Sequence, residues 1–327
     1  MIEIKAIISS PDGGKTDISD FIGDINLSGS IKESTRTLSF KALRADIDKN
    51  FEAYNVNLGD RATFYEVKNG KQVQIFDGVV WSKATKDNSV DLDIRCYDKA
   101  IYLNKNDIKD QVFTDKSADE VAGAIIKDLG LDAGDLAKTG KDTYNLRGMT
   151  AYDAIMAAYT KDSEKTGKKY KLVDIDGVIN VFEAGKEHPV TIEELDEPVV
   201  GKLLDTSYQE SLDELVNEVK AIEDKKKDQK KDAGKDQKSQ ERFGKIQKVL
   251  KGDASDLKGL MKGAKVEIDV SCIGDWDMVA GKSIELKSSI ISGKFYIESD
   301  SHKLDDAVHI VDLKLSSELG MDTKGGK

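Results

Sequence analysis

Three histidines, two cysteines and a few acidic or glycine-rich turns are the residues of this chain that could do chemistry. Histidine as a residue type titrates near neutral pH, which suits a general acid or base, and the chain has three, His188, His302 and His309. His188 precedes Pro189 in a loop pattern, and His309 falls on the polar face of an alternating strand. His302 closes the run Ser299-Asp300-Ser301-His302, which holds a hydroxyl, an acid and an imidazole. A nucleophile, base and orienting acid must converge through the fold, however, and not merely adjoin in sequence. The run therefore reads as a loop with a solvated or hydrogen-bonded histidine. Gly13-Gly14-Lys15-Thr16 has the tail of a phosphate-binding loop, but the first glycine of that motif would fall on Ser9 and no long helix pattern follows, so it reads as a turn. Asp174-Ile175-Asp176-Gly177 matches a fragment of a calcium loop, lacks the later glutamate ligand, and reads as a hairpin turn. Asp275-Trp276-Asp277 pairs two carboxylates without a partner constellation and reads as a loop with Trp276 packed down. Cys96 and Cys272 each lie inside a strand pattern and read as buried thiols, not as a disulfide framework. There is no CxxC pair and no HExxH motif. The sequence assigns no catalytic, cofactor-binding or metal-binding residue, and the expectation is a protein that is not an enzyme.

The composition agrees. At 327 residues the chain has room for two or three domains. Apolar residues make up 39% and charged residues 34%, which fits modest β domains with polar excursions better than one large enzyme core. The net charge of −11 argues against a general nucleic-acid binder, because phosphate contacts need clustered lysine and arginine. The one lysine-rich run, Lys225–Lys238, is interleaved with aspartate and makes no clean basic face. No signal peptide and no membrane-spanning run is visible, so the expectation is synthesis as a soluble protein in the cytoplasm without membrane insertion.

The elements that would position any site are mostly strands. Residues 2–8 alternate, and 24–40 read as two strands and a loop. A triplet of strands follows over 62–67, 79–83 and 90–97; in the last, Val90, Leu92, Ile94 and Cys96 share one face. A similar triplet recurs over 283–287, 295–298 and 307–315, where Val308, Ile310, Leu313 and Leu315 are apolar with one slip of phase. Both triplets run glycine turn, strand, glycine, aromatic-bearing strand, acidic loop, alternating strand. Between them Ser117 and Glu120 form a capping box for a helix ended by Gly130, and Thr150 caps a second helix that Gly167 ends. Strands 170–173 and 178–182 flank the turn Asp176-Gly177. Residues 225–240 hold no large apolar side chain and read as a charged linker, followed over 241–262 by short amphipathic helices. The fold class is thus α+β, mainly β: antiparallel β-barrel domains over 1–106 and 188–327 flank a small α/β domain over 107–187, with a charged and helical excursion over 223–262 inserted in the second barrel.

The ordered set LSGSIKESTRTLSF (27–40), LGDRATFYE (58–66), FDGVVWS (76–82), YDKAIYLNKN (97–106), TAYDAIMAAYTKDSEKTGKKY (150–170) and GKFYIESDSHKL (293–304) resembles the PBSX-type (XkdQ/YqbQ-like) family of phage tail proteins of Gram-positive bacteria. That resemblance spans nearly the whole chain. It implies a baseplate hub of a contractile tail or a phage-tail-like bacteriocin, with two tail-tube-like barrels per chain and assembly as a homotrimer. Six barrels in a ring would then adapt a threefold spike to a sixfold tube. The partners it implies are the central spike protein, the tail tube protein, other baseplate proteins and the tape-measure protein, around a channel that an acidic lining would keep free of sticking cargo. Specific nucleic-acid binding is not implied. Two rival readings differ in kind. A cell-wall-acting hydrolase would need a convergent dyad or metal site, and a surface- or carbohydrate-binding β module would need clustered exposed aromatics, where this chain has only two tryptophans.

Overall fold

The computed structural model describes residues 2–44, 54–186, 189–222, 230–251, 260–305 and 308–325. The chain begins with β1 (Glu3–Ser9), β2 (Lys15–Asp17), β3 (Ile22–Ser30), β4 (Thr37–Leu43), β5 (Arg61–Lys68), β6 (Lys71–Ala84) and β7 (Asp91–Asp98). A mixed segment follows: α1 (Ile101–Lys105), β8 (Gln111–Ser117), α2 (Ala118–Asp128), β9 (Ala133–Leu136), β10 (Lys141–Leu146), α3 (Ala151–Thr166), β11 (Tyr170–Ile175) and β12 (Val178–Glu183). Then come β13 (Val190–Glu193), β14 (Leu203–Ser211), β15 (Glu218–Ile222), β16 (Lys230–Lys235), α4 (Gln237–Phe243), β17 (Gln247–Lys251), β18 (Lys265–Ile273), β19 (Ser283–Lys287), β20 (Ser292–Asp305) and β21 (Val308–Ser316). Two compact units result, one of Met1–Thr206 with Asp269–Lys327 and one of Ser207–Ile268.

The larger unit is mainly β, as the strand patterns predict. Its strands hydrogen-bond along one path, β14-β18-β21-β20-β3-β4-β7-β6-β5-β1-β2, with β13 and β19 attached beside β20. The two β regions therefore share a sheet. Two separate closed barrels are not what the pairing shows, since the path stays open at β14 and β2 among the described residues. The join is β3 against β20, where Asp300 faces Gly29 and His302 faces Leu27. Both triplets, β5-β6-β7 and β19-β20-β21, are antiparallel, and each carries a bulge in its middle strand, at Val80/Ser82 and at Ile297/Ser299. One pair departs from the antiparallel expectation: β13 runs parallel to β19.

Alternation decides which side chains go inside. In β7, Ile94, Cys96 and Asp98 are buried; β21 buries His309, Val311, Leu313 and Leu315. The phase slip expected in β21 is therefore absent. His309 takes an inward position that Val308 and Ile310, on the outer phase, appeared to claim. Cys96 and Cys272 are free and fully buried, and burial pushes both thiols up to about 12. We expect native protein to take up no Ellman's reagent at pH 8 and both cysteines to react in guanidinium chloride.

The mixed segment has its own core. Ser117 caps α2 with a capping box to Glu120, and Thr150 caps α3 through the Asp153 amide. Gly167 ends α3 in the left-handed conformation at φ 76°, and Asp176-Gly177, at φ 56° and 82°, makes the tight turn between β11 and β12. Val121, Ile125, Ile155, Tyr159, Tyr170 and Leu172 meet between the helices and this hairpin. The C-terminal tail returns to the same segment: Tyr152 donates to Asp322 at 2.8 Å and the Lys324 amide to Thr160 at 3.0 Å.

The smaller unit corrects the expectation of a linker followed by helices. Its described part is a three-stranded sheet, β16-β15-β17, antiparallel on one side of β15 and parallel on the other. Helix α4 starts earlier than the apolar pattern predicts because Asp236 caps it, accepting from the Ser239 amide at 3.0 Å, and Gly244 ends it. Asn217 fixes the next turn, donating to the Gly244 carbonyl and accepting from the Ile246 amide. Residues 223–229 and 252–259 of the expected excursion lie outside the described residues.

Candidate functional site: a buried polar seam

Where β20 meets β3, a line of polar side chains enters the interior. Asp300 and His302 share the inward face of β20 and are 3% and 0% exposed. The Asp300 carboxylate accepts from Arg36 Nη2 at 2.5 Å and from the Ala280 amide at 2.7 Å, and lies 3.2 Å from His302 Nε2. Burial works to raise this carboxyl, but the Arg36 charge and the His302 contact outweigh it and hold it below the usual range. On its other side His302 Nδ1 meets His309 Nε2 of β21 at 3.0 Å. Trp276 stacks over both rings, with centroids 5.3 and 4.0 Å away. Burial lowers the pKa of both histidines, that of His309 to about 3.

Arg36 carries the network into the N-terminal β region and the mixed segment. Its backbone amide donates to Asp98 at 2.7 Å, and the other Asp98 oxygen accepts from the Ala100 amide at 3.1 Å. Burial, reinforced by the charge of Asp174, raises the Asp98 pKa far above the carboxylate range. Asp174 accepts from the amides of Lys99 and Gly177, and burial lifts it to about 6. Lys171, at 7% exposure, donates to the carbonyls of Ser30 and Glu33, and burial brings its pKa down to about 8. Three sequence-distant parts of the larger unit are thus tied by one buried polar chain: Lys171 and Asp174 from the mixed segment, Arg36 and Asp98 from the first β region, Asp300 and the histidines from the second.

These placements settle the sequence-derived candidates one by one. Ser299–His302 is strand, not loop, and of the two environments expected for His302, solvated or hydrogen-bonded, it takes the hydrogen-bonded one, fully buried. His309 is on the buried face, not the polar one; burial of a neutral imidazole is sustained by its bond to His302. Neither imidazole bonds a serine or cysteine among the described residues, and the Ser301 hydroxyl accepts from Asn26 instead. Trp276 packs down, as its loop pattern predicts. Gly13-Gly14 is the turn between β1 and β2. His188 lies outside the described residues, as do Asp306 and part of Lys225–Lys238. Among the described residues no group of three His, Cys, Asp or Glu could hold a metal, and no helix is long and apolar enough to cross a membrane.

The seam opens on one side to a cleft of about 560 Å³ bordered by Arg36, Phe76, Asp98, Asp174, Trp276 and Phe182. Its inner carboxylates are already satisfied by the chain. Asp77 receives two bonds from Arg61, at 2.5 and 3.0 Å, Asp98 and Asp174 take backbone amides, and Asp176 takes Gln74 at 2.7 Å. This is the chemistry of a structural joint.

Sequence reasoning missed Arg36, Asp98 and Lys171. A signal was present for Asp98, which continues the inward phase of Ile94 and Cys96, and for His309, which falls in phase with Val311 and Leu313. A polar residue in an apolar phase marks a buried, partnered group.

The fold built around this joint is that of prophage tail proteins. It superposes on the 43 kDa tail protein of prophage MuSo2 from Shewanella oneidensis with a TM-score of 0.70 at 12% identity, covering 97% of this chain and 98% of that one. A tail protein from Neisseria meningitidis gives 0.62 at 13% identity, with 96% of each chain covered. A chain of the PdpA-VgrG complex gives 0.56 at 11% identity, with 100% of this chain and 66% of that one. In sequence the chain is 22% identical over 299 residues to the phage-like element PBSX protein XkdQ of Bacillus subtilis strain 168, covering 84% of this chain and 89% of the relative. The YqbQ-like family model matches residues 25–316, and the chain belongs to that family.

Proposed function

We propose that this phage tail protein is the baseplate hub of a contractile tail or tail-like particle. In this reading it is a homotrimer that adapts a threefold spike to a sixfold tube and forms part of the central channel. The observation that carries this reading is the pair of antiparallel triplets, β5-β6-β7 and β19-β20-β21, each with a bulged middle strand, held in one sheet. Two such modules per chain, three times over, give six similar units in a ring. The three-part division into residues 1–106, 107–187 and 188–327 belongs to the same proposal: two tube-like modules around a mixed one. Among the described residues β14 and β2 end the sheet, and pairing between copies at these edges would remove the aggregation hazard of a free edge. A chain of the PdpA-VgrG complex shares this fold, which supports a central spike protein as the partner below; tube protein, other baseplate proteins and tape measure belong to the same proposal. The role is positional, without catalysis. Light scattering on the purified protein over a range of concentrations tests it. The expected mass is three times 35.9 kDa. A monomer both alone and when co-expressed with its neighbouring tail proteins overturns the trimer.

A further inference from the structure

We infer that the His302–His309 pair is an acid-operated latch between β20 and β21, closed at neutral pH and loosened under mild acid. The inference is independent of the hub reading and stands on the geometry of the pair. At 3.0 Å, His302 Nδ1 and His309 Nε2 share a single proton, one nitrogen donating and the other accepting. An added proton would charge a ring that does not reach water, at 0% and 2% exposure, and a second would make both facing nitrogens N–H groups.

Beyond the Met278 backbone, which hydrogen-bonds His302, the surroundings offer little relief. On β20, Asp300 is already engaged by Arg36 and the Ala280 amide. From the turn before β4 comes Arg36, a cation that opposes a charged His302, with Asp98 of β7 on its backbone. The segment between β18 and β19 brings Trp276 over both rings, flanked by Asp275 and by Asp277, which pairs with Lys282 at 3.5 Å. On β21, Asp312 pairs with Lys303 of β20 at 2.7 Å. From β18 comes the un-ionised thiol of Cys272, and β3 opposes His302 with Leu27. The charge therefore leaves only if the strands part.

The direction follows from proton counting. Each histidine is neutral in the closed latch and takes a proton in the open one, so closure is fully favoured above the ordinary value of 6.5 and lost as pH falls below it. Asp174, lifted to about 6, and Asp98 bind protons in the folded state and would oppose acid unfolding of the whole unit. Their printed partners, the amides of Arg36, Ala100, Lys99 and Gly177, lie on neither β20 nor β21, so they do not oppose the parting of those two strands.

Hydrogen–deuterium exchange on the full-length protein, corrected for intrinsic rates and measured from pH 7.5 to 5, tests the latch. Opening of β20 and β21 is expected to rise about tenfold per pH unit for each histidine that charges, while α3 stays protected. His309→Phe keeps a ring under Trp276 and should remove one of those factors of ten. A pH-independent β20–β21 pairing in the wild-type protein overturns the inference, as does a pairing that opens only together with α3, or an unchanged slope in His309→Phe. If that variant does not fold, the wild-type profile alone decides.

Discussion

Replacing Arg36 with alanine should lower the stability of the larger unit by about 3–5 kcal/mol, the cost of removing one partner of a buried ion pair. The Asp300 side chain is 0% exposed and that of Arg36 15%, so water replaces the lost guanidinium poorly. The result would be a buried carboxylate with only the Ala280 amide and His302 as partners. Asp300→Asn introduced into the Arg36→Ala background should recover part of the loss. The neutral amide keeps an oxygen for Ala280 and no longer carries a charge to desolvate. Urea denaturation of the two variants at pH 7.5 measures both effects. A loss below about 1 kcal/mol for Arg36→Ala would place the pair among surface ion pairs and remove the argument for a tied seam.

Tyr159→Ala should cost a similar amount, about 3–5 kcal/mol, for a different reason. Tyr159 is fully buried between α3 and β11, its ring 4.8 Å from that of Tyr170, in the core of the mixed segment. Truncation leaves a cavity that two capped helices and a tight hairpin cannot collapse to fill. Tyr159→Phe keeps the volume and loses only the hydrogen bond to the Ala137 carbonyl, at 3.1 Å, so about 1 kcal/mol is expected. The contrast between the variants is the measurement. Equal losses would mean that the hydroxyl, not the packing, holds the segment together.

Much of this architecture was legible in local sequence, and the reasons differ by element. Helices α2 and α3 announced themselves through Ser117, Thr150 and Gly167, because caps are local hydrogen-bond requirements. Strand β7 was legible because alternation needs only neighbouring residues. The seam was not. Nothing near Asp300 records that Arg36, 264 positions away, will meet it, and nothing near Lys171 names the carbonyls of Ser30 and Glu33. His309 misled because hydropathy assigns imidazole to water, whereas a hydrogen bond to a second imidazole makes it an interior residue. Strands β16 and β17 were invisible for a related reason. Their sequences carry few apolar residues, and the backbone pairing with β15 that defines them depends on residues elsewhere in the chain.

The pairing of β3 with β20 also sets a schedule. The Asn26–Ser301 hydrogen bond spans 275 residues. At a synthesis rate of about 5–20 residues per second, the β3 edge emerges roughly 15–50 s before its partner exists. During that interval the nascent chain carries an open β-edge of the kind that recruits stray strands. A ribosome-bound holdase, or slow local docking of the mixed segment, would shelter the edge until β20 arrives. Chains stalled before β20 should therefore aggregate where finished ones do not.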